Sequence, residues 1–268
     1  MNEINSSEIQ SILYDLSKKY ILPKYKNLNH NEIMTKNNSD SVTSVDIKIE
    51  EELKKKLCDI LPNSLFVGEE IFSKNPKILN NYNLSEYCWT VDPIDGTSNY
   101  INGIDKFAVM IALSFKDKIL QSWIYKPLSD DLFFAIKDNG CFNNNERITI
   151  KNDKTIQNSV GSISFKYWDD KLFSKMQLIK KEFKKINSYK CIGFEYIDIA
   201  KSYREFTILS KLSPWDHMPG ILIVREAGGY DSYFDKTIYN HFLDKKNLVV
   251  ASSNYLGEEI ISLIKEYV

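Results

Sequence analysis

Apolar residues recur at helical spacing near the start of the chain: Ile9, Ile12, Leu13, Leu16, Tyr20 and Ile21. The spacing predicts an amphipathic helix over residues 6–24, stopped near Pro23, with Ser7 and Gln10 at capping-box spacing. Residues 27–41 are polar and Asn-rich and read as a loop. A second helix is expected from Thr43, with Asp46 three residues on as in a capping box. Its apolar side is Val45, Ile49, Leu53 and Leu57, and it ends before Pro62. Leu65-Phe66-Val67 then reads as a strand running into Gly68-Glu69-Glu70. Trp89-Thr90-Val91 opens a second strand, which ends in the polar turn Asp92-Pro93-Ile94-Asp95-Gly96-Thr97. Phe107–Phe115 is a nearly continuous apolar run, the pattern of a strand buried on both faces. Further strands are expected at Ile119–Tyr125, Leu132–Ile136 and Ile148–Ile150, with turns at Pro127–Asp131 and at Asp138-Asn139-Gly140.

The second half alternates differently. Strands are expected at Ser159–Ser164, Tyr189–Ile192, Phe206–Leu209 and Leu248–Ala251, and helices at 168–186, Trp215–Ala227 and Leu256–Tyr267. The Trp215–Ala227 helix is apolar on nearly every face and should be buried. Pro219 is expected in its first turn, where a missing N–H costs nothing, and Gly228-Gly229 ends it. The first half therefore reads as α+β and the second as α/β, a layered arrangement with a boundary near residues 147–155. No internal repeat or low-complexity linker interrupts it.

Composition narrows the function. The chain has 268 residues, 43% of them hydrophobic, with 16 Tyr and 14 Phe, which is a globular rather than a disordered make-up. Its net charge of -1 gives no electrostatic footprint for nucleic acid, and the lysines at Lys54–Lys56 and Lys180–Lys185 read as solvated faces. Cys58, Cys88, Cys141 and Cys191 are scattered and form no C-x-x-C pair, so buried free thiols are expected rather than a zinc site. The N-terminal segment lacks the basic and apolar regions of a signal peptide, and no apolar run reaches membrane-spanning length. The expectation is a soluble, cytoplasmic protein with no membrane or nucleic-acid partner.

The chemistry gathers around acids. Asp92 and Asp95 flank a proline, and a Gly-Thr pair follows at once. Carboxylates this close repel unless protons or cations neutralise them, and hard divalent cations take oxygen ligands. N–H groups freed at a glycine turn can hold an anion. Glu70 stands at the end of an expected strand, and Asp216 at the start of the buried helix. Each acid alone is ordinary at a turn; together they could form an all-oxygen cage for two or three Mg²⁺ ions. His30, His217 and His241 have no mutual ligand spacing, and no Ser/His/Asp nucleophile set is evident.

These residues resemble the signatures of the inositol monophosphatase family of Mg²⁺-dependent, lithium-sensitive phosphatases. Trp89–Tyr100 is similar to its first signature, and Trp215-Asp216-His217-Met218-Pro219-Gly220 with Glu226-Ala227-Gly228-Gly229 to its second. Gly68-Glu69-Glu70 and Thr43-Ser44-Val45-Asp46 resemble two further motifs, in the same order along the chain. The resemblance implies an α-β-α-β-α sandwich, usually homodimeric. It implies metal ligation by Glu70, Asp92, Asp95 and Asp216, and by the Ile94 carbonyl. It also implies that Gly96 and Thr97 bind phosphate through backbone N–H groups, and that Asp216 lies close to the substrate. Asp46 would bond the Thr97 hydroxyl, and that pair would orient the attacking water. Glu70, Asp46 and Thr97 are thus the expected catalytic set. Lys36 and the loop to Ser41 would correspond to a mobile element near a third, weaker metal.

The substrate is less legible. The animal inositol enzymes carry a Glu seven residues before the second-signature aspartate; this chain has Leu209 there. Phe194-Glu195 replaces a small pair after Gly193, and Glu195 either binds a substrate hydroxyl or amine, or caps the following helix. Ser98-Asn99-Tyr100 differs from the Lys-Glu-Phe of bisphosphate nucleotidases, which argues against 3′-phosphoadenosine-type substrates. The expectation is a phosphomonoesterase for an inositol-1-phosphate-like polyol or sugar phosphate. Histidinol phosphate and fructose 1,6-bisphosphate are the alternatives, and a non-catalytic phosphate-binding scaffold is the remaining one.

Overall fold

The computed structural model describes residues 3–36, 40–151 and 154–267. Two sheets organise it. The first half supplies seven strands: β3 (Leu65–Gly68), β4 (Tyr87–Asp95), β5 (Ala108–Phe115), β6 (Lys118–Lys126), β7 (Asp131–Ile136), β8 (Gly140–Asn143) and β9 (Glu146–Ile148). They lie side by side in sequence order, antiparallel except for the parallel β3–β4 pair. A small antiparallel hairpin precedes them, β1 (Ile33–Thr35) with β2 (Ser41–Thr43). The second half forms a five-stranded sheet in the order β11-β10-β12-β14-β13. Its members are β10 (Val160–Ile163), β11 (Lys185–Ile186), β12 (Phe206–Leu209), β13 (Tyr230–Tyr233) and β14 (Leu248–Ala251).

The layers follow from which faces are apolar. Residues 108–113 of β5 are at most 1% exposed, so this strand is covered on both sides. Val109, Ile111 and Leu113 face α1 (Ser6–Leu16) and α2 (Ser44–Ile60), in a cluster with Trp89, Trp123 and the α2 stripe Val45, Ile49, Leu53 and Leu57. Ala108, Met110 and Ala112 face the other way, against α6 (Ile192–Ala200) and α7 (Pro214–Glu226). The same cluster takes in Leu209, Leu248 and Val250 from the five-stranded sheet, so α6 and α7 are sandwiched between the sheets. The far face of that sheet packs Phe206, Ile208, Val249 and Ala251 on α5 (Asp170–Ile179) and α8 (Asn254–Tyr267). The result is the expected α-β-α-β-α sandwich. Burial on both sides explains why α7 is apolar all round.

Several local expectations change. The cap of α1 is Asn5, whose side chain accepts from the Ser7 N–H, and a π turn at Ser17–Ile21 carries the helix on toward Pro23. The Asn-rich stretch holds the β1–β2 hairpin, with residues 37–39 outside the described residues. The expected helix over 168–186 stops earlier, because Lys185 and Ile186 pair with Val160 and Gly161. Tyr189–Ile192 is not a strand. Its first two N–H groups go to side chains, Tyr189 N–H to Glu195 Oε1 and Lys190 N–H to Ser188 Oγ, and Lys190 has φ 55°. Helix α7 begins at Pro214, so Pro219 sits in its second turn rather than its first. The Thr43–Asp46 capping box is present in full.

Gly220 of α7 lets the helix press onto α6. A Cβ there would lie 1.9 Å from Tyr196 Cδ2, in a ring that is fully buried. Gly220→Ala should therefore destabilise the chain by about 1–3 kcal/mol through overpacking, read as a lower urea midpoint with little change in slope.

Candidate active site

The acids collect where the strand ends of the large sheet meet the start of α7. Helix α3 (Glu69–Lys74) begins directly after β3, and Gly68 makes this junction possible. A Cβ on Gly68 would lie 2.1 Å from Glu50 Oε2, because the Glu50 carboxylate accepts from the Glu70 and Ile71 N–H groups at 2.7 and 2.8 Å. Glu50, reaching over from α2, thereby caps α3. On the neighbouring strand, Asp92 pairs with Met110 and Asp95 with Ala108, so three steps along β4 span two along β5. This bulge accommodates Pro93, which has no N–H to give, and brings both aspartates to the strand end. Asp92 Oδ1 accepts from the Ile94 N–H at 3.0 Å. Gly96 follows with φ 84°, and α4 (Thr97–Ile101) starts after it. A Cβ on Gly96 would lie 2.9 Å from the Lys106 carbonyl, so both the turn and the space require glycine.

Asp95 is held by the start of α6. The Gly193 N–H reaches its Oδ2 at 2.6 Å, the Ile192 N–H its Oδ1 at 3.2 Å, and the Cys191 thiol donates to Oδ2 at 2.9 Å. Asp216 stands in the first turn of α7, where the helix dipole favours an acid. Its carboxyl group lies close enough to that of Asp92 for the two to influence each other's charge. Burial is the main cause of raised carboxyl pKa values throughout: Asp95 to about 7, Asp216 to about 6, and Asp92 well above the ordinary range. Like charge adds to this, with Glu69, Asp95 and Asp216 all acting on Asp92.

Glu69 and Glu70 separate here. Glu69 lines the same cavity as Asp95 and Asp216 and feels the Asp216 charge. The Glu70 carboxylate does not line that cavity; it lies 2.6 Å from Lys36 Nζ. The expectation fell on Glu70, but it is Glu69 that the structure brings to the aspartates. The two differ by one step at a helix start, about 100° around the axis, which a Glu-Glu doublet does not disclose. Lys36 Nζ also bonds Glu69 Oε1 at 2.8 Å.

The Asp46–Thr97 pair forms as expected. Asp46 Oδ2 accepts from the Thr43 N–H at 2.9 Å and from the Thr43 hydroxyl, which leaves Oδ1 for the Thr97 hydroxyl at 3.1 Å. Thr97 Oγ1 also lies 2.9 Å from the Ile94 carbonyl. Burial pushes Asp46 up to about 6. His217 offers no free nitrogen: Nε2–H donates to the Lys211 carbonyl at 3.0 Å, so Nδ1 accepts from the Tyr196 hydroxyl at 2.9 Å. Glu195 lines the far side of the cavity, which measures about 300 Å³.

The whole of residues 5–268 matches the model of the inositol monophosphatase family. The chain belongs to that family. An Aquifex aeolicus fructose-1,6-bisphosphatase/inositol-1-monophosphatase is 30% identical over 203 residues, 74% of each chain. A Haemophilus influenzae protein named Nus factor SuhB is 27% identical over 242 residues, 89% of this chain and 88% of its own. A solved IMPase/NADP phosphatase complexed with Mg²⁺ and phosphate superposes with a TM-score of 0.79 at 18% identity, covering 96% of this chain and 94% of its own. Membership makes this chain one of a phosphatase family.

The donor set suits the hard divalent cation that the family implies. It is all oxygen, and two of its members, Asp92 and Asp95, are buried. Among the described residues no three His, Cys, Asp or Glu side chains already converge as a closed cage. The carboxylates repel one another, and Glu69 is turned to Lys36. In metal-free protein, Asp95 and Asp216 hold protons more tightly folded than unfolded. Their contribution is fully present below the unfolded value, about 4, and is lost as pH rises through the folded values of about 6 and 7. The melting temperature in chelator should fall across this window, and Mg²⁺ should raise it more at pH 8 than at pH 5. A Mg²⁺ effect equal at both pH values would contradict the acid cluster as the binding place.

Proposed function

We propose that the chain is a Mg²⁺-dependent phosphomonoesterase acting on a small phosphorylated polyol or sugar by direct attack of water. The observation that carries this reading is the gathering of Glu69, Asp92, Asp95 and Asp216 from three separate elements beside the Asp46–Thr97 pair. Two or three cations would be held by those four carboxylates and the Ile94 carbonyl; the role expected of Glu70 thus passes to Glu69. When bound, Mg²⁺ supplies positive charge against the phosphate dianion and lowers the pKa of water.

The chain's own groups do the rest. Gly96 and Thr97 lie where the backbone turns at φ 84°, and their N–H groups would hold phosphate oxygens. Thr97 Oγ1 has one hydrogen and two acceptors within reach, Asp46 Oδ1 and the Ile94 carbonyl. With that hydrogen donated, its oxygen is left to accept from a water and so to aim it. Asp46 keeps the threonine in this orientation, since its other oxygen is committed to the Thr43 cap. In-line displacement needs positioning and charge rather than a covalent intermediate, in keeping with the lack of an activated nucleophile. A cytoplasmic homodimer is part of the same reading. It is supported by family membership.

A panel of inositol 1-phosphate, fructose 1,6-bisphosphate and histidinol phosphate, with Mg²⁺ and with chelator, tests the activity. Release that survives chelator, or no release from any member, would sink it. Asp95→Asn and Glu69→Gln should each cost at least about 100-fold in kcat, whereas Glu70→Gln should cost about tenfold or less, since it acts only through Lys36. Equal losses for Glu69→Gln and Glu70→Gln would remove the assignment to Glu69.

A further inference from the structure

Three donors converge on the Asp95 carboxylate, and its two oxygens share them unequally. Cys191 stands at the N-cap of α6, where a serine or aspartate usually accepts from the first turn of its own helix. The Cys191 side chain makes no such bond. Asp95 takes that place from outside the helix. Its Oδ1 accepts from the Ile192 N–H at 3.2 Å, and its Oδ2 from the Gly193 N–H at 2.6 Å. The thiol is thereby left to act as a donor, and it turns back to the same carboxylate. Sγ lies 2.9 Å from Oδ2 and 3.5 Å from the Asp95 carbonyl oxygen, so its single hydrogen goes to the nearer one, Oδ2. Both residues are buried.

Counting lone pairs shows what Asp95 has left to offer. An ionised carboxylate has about four acceptor positions, two on each oxygen. Oδ2 spends both, on the Gly193 N–H and on the Cys191 thiol. Oδ1 spends one, on the Ile192 N–H, and keeps one. A cation therefore meets Asp95 through Oδ1 alone while the thiol hydrogen stays on Oδ2. Two of the three donors belong to the backbone of α6; only the thiol is carried on a side chain that could be exchanged or could turn away. Restricting a carboxylate to one oxygen does not affect all cations alike. Ca²⁺ takes about six to eight oxygens and accepts a carboxylate through one or both of them. Mg²⁺ is smaller and demands near-octahedral geometry, which the narrow bite of a single carboxylate does not fit.

We propose that Cys191 is a positioning residue that saturates Asp95 Oδ2, makes Asp95 a one-oxygen ligand, and so biases the acid site toward Mg²⁺ over Ca²⁺. The inference rests on the cation-dependent reading of the site given above. The thiol acts through Asp95 and needs no contact with the cation or the substrate.

Cys191→Ala removes the donor and opens the second oxygen, whereas Cys191→Ser keeps a donor in the same place. The full chain, stripped with chelator and without substrate, is titrated at about pH 8 with Mg²⁺ and separately with Ca²⁺, and half-saturating concentrations are read from the rise in melting temperature. The ratio of the Ca²⁺ to the Mg²⁺ value should fall about tenfold in Cys191→Ala and stay within about threefold of wild type in Cys191→Ser. A fall of less than about threefold in Cys191→Ala overturns the inference. An equal fall in Cys191→Ser does so too, because the cause would then be lost packing rather than a lost donor. Should Cys191→Ala not fold, Cys191→Val and Cys191→Thr, alike in shape and differing in the donor, carry the same comparison. Asp95→Asn separates this inference from the reading beneath it. If that variant titrates like wild type with both cations, or if neither cation stabilises wild type, the cation site itself is refuted and the role of Cys191 falls with it. If Asp95→Asn weakens both cations while Cys191→Ala leaves their ratio unchanged, the site stands and only the role of Cys191 is lost.

Discussion

The structure depends on carboxylates being held together against their own repulsion. Asp92 and Asp95 are buried and Glu69 and Asp216 half-buried beside them, with Lys36 bonded to Glu69. Isolated burial of even one ionised carboxylate is costly, and several together demand protons or external cations. Each acid is accordingly fixed by something that cannot easily yield. Glu69 starts a helix whose N–H groups are taken by Glu50, Asp95 is clasped by the beginning of α6, and Asp216 sits at a helix start between two sheets. Folding assembles a group of carboxylates that added positive charge would stabilise. That gives a physical sense to a phosphatase whose substrate is itself an anion.

The layering explains how two distant stretches of chain share the site. Strands β3 and β4 bring acids to one edge, while α7, buried between the sheets, brings Asp216 to the same place. The helix layer is the common wall: α6 grips Asp95 with its first residues and carries Glu195 two residues further along. One short helix thus touches both the acid end and the far wall of the cavity.

Much of this was legible along the chain, and for identifiable reasons. The Thr43–Asp46 cap, the both-face burial of β5, the turn at Gly96 and the all-apolar α7 are local patterns, set by periods of 2 or 3.6 residues and by backbone freedom. What misled was local preference without a partner. Tyr189–Ile192 looks like a strand, but Glu195 and Ser188 supply the hydrogen bonds a neighbouring strand would have given. Lys185–Ile186 looks helical, but the edge of β10 was open to it.

The sequence by itself determined the family, the layered fold, and the identity and order of the acids Asp46, Asp92, Asp95 and Asp216, because those depend on short motifs and periodicity. It could not choose between Glu69 and Glu70, nor say whether Glu195 faces a ligand or its own neighbours. Both answers depend on groups far away in the chain: Glu50 fixing the start of α3, and Ser162 and Arg204 closing on Glu195. One residue of shift turns a helical side chain by about 100°. Only the tertiary structure decides which of two adjacent carboxylates, both bonded to Lys36, also lines the cavity with Asp95 and Asp216.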